Sequence, residues 1–583
     1  MTVEWNPASV VGPAAPRLRS NPDGTLATRT AYWIAAVTLF AVGWRLAVSE
    51  GGPSTVLTAM LVCAATGAAV ALATRRLLVA VAIMAAQVML VSIASWVKLK
   101  YMNMVLHAYD LAFYLTSWTT LTFLWDSYRL QMLGVMLAVA LAIAGCTAAY
   151  RMDPVRISRR TAALALAGAI IGASLTVHVA GERRHSQFEY EGMYLSSFYR
   201  SWWETMETAW RGQLIEAAPS VNGPALRPAE SCTTTEKPPH VILIHHESVV
   251  PPSILPKLAY DRRLDPFFRS DNGRDYGLRV ETYGGASVLT EFSVLTGLST
   301  YSFGGMRLFV QRLMAGKIKE TLPQVLSQCG YRNVMFYPML KSFTSADKFF
   351  GGVGINEIFD LKRQGAKRVD ERDRFYYGNA MNEIGQHLIG QHLAGSSKPI
   401  FAFIETQATH WPYDQAFEPK IEVPGGGPGT HPEMHEYLRR LWLAKLDYDH
   451  LRSELARRFP NEKFLIVRYG DHHPMATRVL LGYKDGTEAE DVLLDRKSIG
   501  FLTFFAVNGV NFVPRTYDSP AILDVPYLST VLLEAAGLPL TDAYKARQRL
   551  KAICEGQKYD CPRREQVLTF HRQLLDAGLV SAR

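Results

Sequence analysis

Five apolar stretches of about 20 residues in the first third of the chain, 31–48, 55–74, 77–97, 130–149 and 161–180, constrain its folding more than any other feature. A helix needs ~20 apolar residues to cross ~30 Å of hydrocarbon. The sequence therefore predicts an N-terminal five-helix transmembrane domain over residues 1–181. Arginines set its orientation. Arg17, Arg19 and Arg29 precede the first stretch, Arg75 and Arg76 join the second and third, and Arg151, Arg156, Arg159 and Arg160 flank the junction of the fourth and fifth. With these loops cytoplasmic, everything after Ala180 lies outside. Arg183 and Arg184 run against the rule but precede a long translocated region, where loop charge matters little.

The segment Val105–Trp125 is also apolar. A sixth crossing there would turn the arginine-rich loop outward, and its His107, Asp110 and many Trp, Tyr and Thr residues suit a re-entrant or interfacial segment. The spans carry no charge at mid-depth, and Arg45 near a span end can snorkel, which argues against a transporter or proton pump. Residues 182–239 read as a juxtamembrane linker: Phe198-Tyr-Arg-Ser-Trp-Trp203 and Trp210 suit the membrane interface, and Ala217–Pro239 is rich in Pro and Thr.

From about His240 to Arg583, short apolar strands alternate with helical patterns, the signature of parallel βαβ units in an α/β sandwich. Strands are expected at Val241–Ile244, Leu278–Thr282, Asn333–Tyr337, Ile400–Ile404, Phe464–Val467 and Leu502–Val507, and helices at Leu308–Cys329, Gly378–Leu393 and Glu433–Phe459. Cys554 with Cys561, and Cys232 with Cys329, can pair in an oxidising compartment, while Cys63 and Cys146 lie within spans. The net charge of +9 is dispersed, with no basic stripe interleaved with aromatics, so nucleic acid is not an expected partner.

Chemistry concentrates where the strands finish: Glu247 after His240–His246, Ser287 after Gly284-Gly-Ala, His410 in Thr409-His-Trp-Pro, and Asp471-His472-His473 after Phe464–Gly470. In open α/β sheets these strand ends open onto the ligand crevice. Glu247, Asp471 and His472 form a donor set suited to Zn²⁺ or Mn²⁺. The glycines before Ser287 allow close approach of a phosphate to a helix start, and a metal on the serine oxygen would activate it as a nucleophile. His410 can bind a substrate oxygen or protonate a leaving group. His473 is a further candidate for substrate or metal.

The spans and motifs together resemble the membrane-anchored, sulfatase-like branch of the alkaline phosphatase superfamily: lipoteichoic acid synthases, phosphoglycerol transferases of periplasmic glucans and, more distantly, lipid A phosphoethanolamine transferases. The resemblance rests on Glu247-Ser248, on Ser287-Val-Leu-Thr-Glu291-Phe292 and on Asp471-His472, with His410 matching the family's substrate histidine. It implies an α/β sandwich of the alkaline phosphatase/sulfatase type over 240–583, outside a bacterial inner membrane. It also implies a divalent metal, Mn or Zn, held by Glu247, Ser287, Asp471 and His472. The expected reaction carries a phosphoglycerol headgroup from a membrane phospholipid, through Ser287, to a glycan or lipid of the cell envelope. Phosphoethanolamine transfer and sulfatase-like hydrolysis are the alternatives. The chain departs from the pattern in having Ser for Thr as nucleophile, with Thr290 a rival. Where lipoteichoic acid synthase holds glycerol phosphate with Asp, Trp and Arg, this chain offers Met339, Thr344 and Ala346, with Lys341 the nearby cation. Ser287 lacks the Cys/Ser-x-Pro-x-Arg context needed for formylglycine.

Overall fold

The computed structural model describes residues 22–50, 52–102, 105–113, 118–179, 194–212, 214–220, 225–227, 232, 234, 236–342, 346–368, 370–482 and 495–581. Arg17, Arg19, Arg183, Arg184 and Thr344 lie outside them, as does the expected boundary at 181–182. The chain divides into two compact units, residues 1–92 with 134–179, and residues 93–133 with 180–583.

In the first unit, Leu26–Ser49, Pro53–Thr74, Leu77–Lys100 and Arg129–Met152 are helices long and apolar enough to cross a membrane. The fifth expected span is also helical, Arg159–Val179, but Arg159 and Arg160 occupy its first turn and dilute its hydropathy. The segment expected to be re-entrant or interfacial belongs to the second unit and forms two short helices, Ala108–Phe113 and Trp118–Ser127, each too short to span. The two arginine-bearing loops meet. Ile157 N–H donates to the Arg75 carbonyl (2.9 Å), and the buried Asp153 accepts from Leu78 N–H (2.7 Å), capping the third helix.

The second unit is built on an eight-stranded sheet: β1 His240–His246, β2 Tyr276–Arg279, β3 Arg332–Phe336, β4 Glu357–Phe359, β5 Ile400–Glu405, β6 Phe464–Gly470, β7 Leu502–Val510 and β8 Ile522–Asp524, in the order β4-β3-β5-β1-β6-β7-β2-β8. From β4 to β6 neighbours run parallel, as the alternation of elements predicted. The sheet as a whole is mixed, because β7 runs antiparallel to both β6 and β2. The centre is apolar on both faces. Along β1, Val241 and Leu243 enter one core with Phe401, Phe403, Leu465 and Val467, while Ile242 and Ile244 enter the other with Ala402, Ile404 and Ile466. All four β1 side chains are fully buried, each contributing ~1.5–3 kcal/mol. Burial on both faces explains why these strands read as unbroken apolar runs.

The helix expected at Leu308–Cys329 is broken into Val310–Met314 and Leu322–Gln328. Gly316 turns at positive φ, and Thr321 caps a new helix whose second residue is Pro323. The other two expected helices are present as Asp373–Leu393 and Pro432–Arg458. The aromatic juxtamembrane stretch is the helix Tyr194–Arg211. It buries Leu195, Phe198 and Ser201 and exposes Trp202, Trp203, Met206 and Trp210. Both expected disulfides, Cys232–Cys329 and Cys554–Cys561, are formed.

Candidate active site

The sheet brings β1 and β6 side by side with His246 opposite Gly470, so the residues that follow each strand emerge together. Gly470 is required there: a Cβ would stand 1.9 Å from the Val249 carbonyl oxygen. Glu247 is followed by Ser248 in the left-handed region (φ 57°). That strained turn aims the Ser248 N–H at Asp471 Oδ1 (2.7 Å) and its hydroxyl at Glu247 Oε1 (2.7 Å). The turn before Ser287 is equally specific. Gly284 has positive φ, and a Cβ on it would collide with Met475 Sδ at 2.2 Å; Ala286, at φ 61°, caps the helix Ser287–Thr296.

Four of the expected residues meet. Ser287 Oγ donates to Glu247 Oε2 at 3.0 Å and lies 3.3 Å from His472 Nε2. His472 Nε2 stands 3.2 Å from Asp471 Oδ2 and 3.4 Å from Glu247 Oε1. Its other nitrogen, Nδ1, is 2.9 Å from the His473 carbonyl. A carbonyl can only accept, so Nδ1 carries a proton, and Nε2 is the nitrogen that faces the carboxylates. Asp471 is fully buried, and its Oδ2 makes no hydrogen bond although two imidazole nitrogens stand 3.2 Å away. Two carboxylates, a hydroxyl and an imidazole nitrogen converging on one point, with Asp471 Oδ2 unpartnered among them, fit a divalent cation.

The surrounding groups perturb one another. The His472 and His245 imidazoles outweigh burial and hold the Asp471 carboxyl well below its usual range. Burial would lower His245, but Asp471 and further carboxylates reverse this and raise it. Burial pushes Glu291 up, and burial together with Glu291, Glu247 and Asp471 pushes Glu405 well up.

His245 was missed in the sequence. It precedes Glu247 by two residues, so strand alternation puts both on one side; His245, Glu247 and Asp471 ligand atoms lie within 4.8 Å of one another. Arg440 was missed too. On Pro432–Arg458 it donates to the carbonyls of His410 (2.7 Å) and Pro412 (2.9 Å), fixing the loop that carries His410.

The remaining expected residues stand apart from the cluster. His410 is exposed, with Nδ1 turned to the Trp411 carbonyl, while neighbouring Thr409 donates to the Glu247 carbonyl. Lys341 is exposed beyond β3, its N–H on Asp360. His473 is buried, with Nδ1 3.2 Å from the Thr477 hydroxyl and Nε2 2.8 Å from the Leu502 carbonyl. Both of its nitrogens are thus engaged by the scaffold. Thr290, the rival nucleophile, is buried and donates to the Asp471 carbonyl (2.8 Å).

The chain is similar in part to several known proteins. A protein of Haemophilus influenzae described as uncharacterized is 23% identical over 364 residues, a match covering 60% of this chain and 63% of that protein. Among solved structures, the Streptococcus pyogenes phosphoglycerol transferase GacH aligns with a TM-score of 0.47 at 16% identity, covering 61% of this chain and 89% of that one. The Neisseria meningitidis lipooligosaccharide phosphoethanolamine transferase EptA aligns at 0.42 and 11%, covering 79% and 88%. The family model described as Sulfatase matches residues 239–497. This span contains Glu247, Ser287, His410, Asp471 and His472, and the chain therefore carries a sulfatase-family enzyme domain.

Proposed function

We propose that the protein is a membrane-anchored transferase that moves a phosphoryl headgroup, phosphoglycerol in our reading, from a phospholipid to a hydroxyl of a cell-envelope glycan or lipid. The observation that carries this is the Ser287 hydroxyl placed at once against Glu247 and His472. In the first half-reaction, Ser287 Oγ attacks the phosphorus of the phosphodiester and its proton leaves toward Glu247 Oε2. The phosphorus–oxygen bond to diacylglycerol breaks, and His410 gives the leaving oxygen its proton. In the second half, an acceptor hydroxyl gives up its proton to His410 and attacks the phosphorus of the phosphoserine diester; the bond from phosphorus to Ser287 Oγ breaks, and the proton taken up by Glu247 returns to that oxygen to regenerate Ser287. Glu247, Asp471, His472 and Ser287 would hold the divalent metal, Mn or Zn, which supplies Lewis-acid activation of the serine oxygen. The helix Ser287–Thr296 turns its N-terminus toward the bound anion, and Lys341 adds positive charge at the rim.

The pairing of the two arginine-bearing loops supports the five-span arrangement. Loops on one side of a bilayer are separated by an even number of crossings, here the helices Leu77–Met102 and Arg129–Met152. The sulfatase-like domain then lies on the periplasmic side of the membrane. Preference for phosphoglycerol rests on the Glu-Phe ending of the nucleophile string and on Asp471-His-His-Pro. Full-length protein is incubated with labelled phosphatidylglycerol or phosphatidylethanolamine, and diacylglycerol release is measured. Release from phosphatidylglycerol, with a phosphoglycerol adduct on Ser287 by mass spectrometry, is expected. Release from phosphatidylethanolamine alone would replace the donor, and free headgroup as the sole product would make the enzyme a hydrolase.

A further inference from the structure

Beneath the cluster at Ser287 lies a second group of buried ligating side chains that the proposed reaction does not use. His245, Glu291 and Glu405 come from three different elements, and their ligand atoms lie within 4.8 Å of one another. Glu405 is the last residue of β5 and is paired in register with His245 on β1. Glu291 lies one helical turn beyond Ser287 and reaches in from the helix Ser287–Thr296. Each of the three is at least nine-tenths buried.

Two features show that the group is incomplete in itself. Glu405 Oε1 is buried without any hydrogen-bond partner, a costly state for a carboxylate oxygen. Glu291 has one oxygen satisfied, by Gln311 Nε2 at 2.8 Å. The Tyr469 hydroxyl takes His245 Nδ1 at 2.9 Å, which leaves Nε2 toward the carboxylates.

We infer that His245, Glu291 and Glu405 form a second divalent-cation site, adjacent to the first through Asp471 Oδ2, which stands 3.2 Å from both His245 Nε2 and His472 Nε2. Opposite ligands around an ion bound at ~2.2 Å are about 4.4 Å apart, so a spread within 4.8 Å closes on an ion with small side-chain shifts. One imidazole and two carboxylates suit Mn²⁺ or Zn²⁺. The role assigned to this ion is to neutralise the floor of the site and fix Glu291, and with it the first turn of the nucleophile helix.

The test is metal stoichiometry of the full-length protein in detergent, stripped with chelator, reloaded with MnCl₂ and desalted. Manganese per chain is measured by mass spectrometry, and spin coupling between ions by electron paramagnetic resonance. Two ions per chain, with a coupled signal, are expected for the wild type. Glu405→Gln and Glu291→Gln should each retain one ion and lose the coupling, while Glu247→Gln weakens the other ion. If Glu405→Gln does not fold, Glu291→Gln and the wild-type count still decide. Fewer than two ions in the saturated wild type, or two that persist in both Gln variants, overturns the inference. One wild-type ion lost only in Glu247→Gln would do so while leaving the site at Ser287 intact.

Discussion

Ser287→Ala separates chemistry from stability in a way that can be worked out from the contacts. The side chain is only partly buried, and its hydroxyl makes one hydrogen bond of 3.0 Å to Glu247 and one close approach of 3.3 Å to His472. Glu247 keeps the Ser248 hydroxyl at 2.7 Å after the change, so no carboxylate is stranded. The stability cost is about 1 kcal/mol or less, a melting shift of roughly 1–2 °C for a domain of this size. Turnover, by contrast, should fall by about 10⁶-fold, the scale of losing a covalent nucleophile. Thr290→Ala should behave in the opposite sense. Its buried hydroxyl holds the Asp471 carbonyl at 2.8 Å, so its loss costs ~1–3 kcal/mol while substantial turnover remains. Diacylglycerol release and thermal melts on the two variants provide the assay. Retained turnover in Ser287→Ala, or a folded but inactive Thr290→Ala beside it, would refute the assignment and move the nucleophile one turn along the helix.

Three further outcomes are expected. Glu247→Gln, Asp471→Asn and His472→Ala should each lower metal content along with activity; elemental analysis showing full occupancy in all three would remove them as ligands. Arg440→Met frees the carbonyls of His410 and Pro412, and misplacement of the His410 loop should cost about 10²-fold in kcat/KM with metal content unchanged; an unaltered rate would show that the loop needs no clamp. Asp373 is fully buried, and burial with the neighbouring Asp447 charge lifts its carboxyl from 3.8 to about 8. Folding therefore takes up a proton between those values, and the residue's contribution to stability falls as pH rises through that window. Asp373→Asn should flatten the dependence, gaining a few kcal/mol at pH 8 relative to pH 4 at ~1.4 kcal/mol per pH unit; parallel denaturation curves for the two proteins would contradict this.

How much of the site was legible follows from where its residues sit along the chain. Glu247 and Asp471 each come directly after a strand buried on both faces, and such strands show as unbroken apolar runs with visible ends. Ser287 is marked by two glycines, one of which has its Cβ position filled by Met475. His245 was legible in principle, since period-two alternation puts it on the side of Glu247 and of the nucleophile helix. It was passed over because two adjacent histidines occupy the strand end, and only the fold separates them. His246 faces the opposite core, against Phe267 and Phe504. Arg440 gave no signal, because its partners are carbonyls about 30 positions away. The same long-range dependence hid the antiparallel β7 and the three-residue strands β4 and β8. Strand direction and short edge pairings come from neighbours, not from local pattern. Sequence thus reveals a reactive group when its own strand or turn announces it. The groups that orient it, and the buried acids that set its charge, emerge only when the sheet is assembled. That is why Glu405, a plain strand-end residue in the sequence, becomes a carboxylate with one buried, unpartnered oxygen beside His245 in the fold.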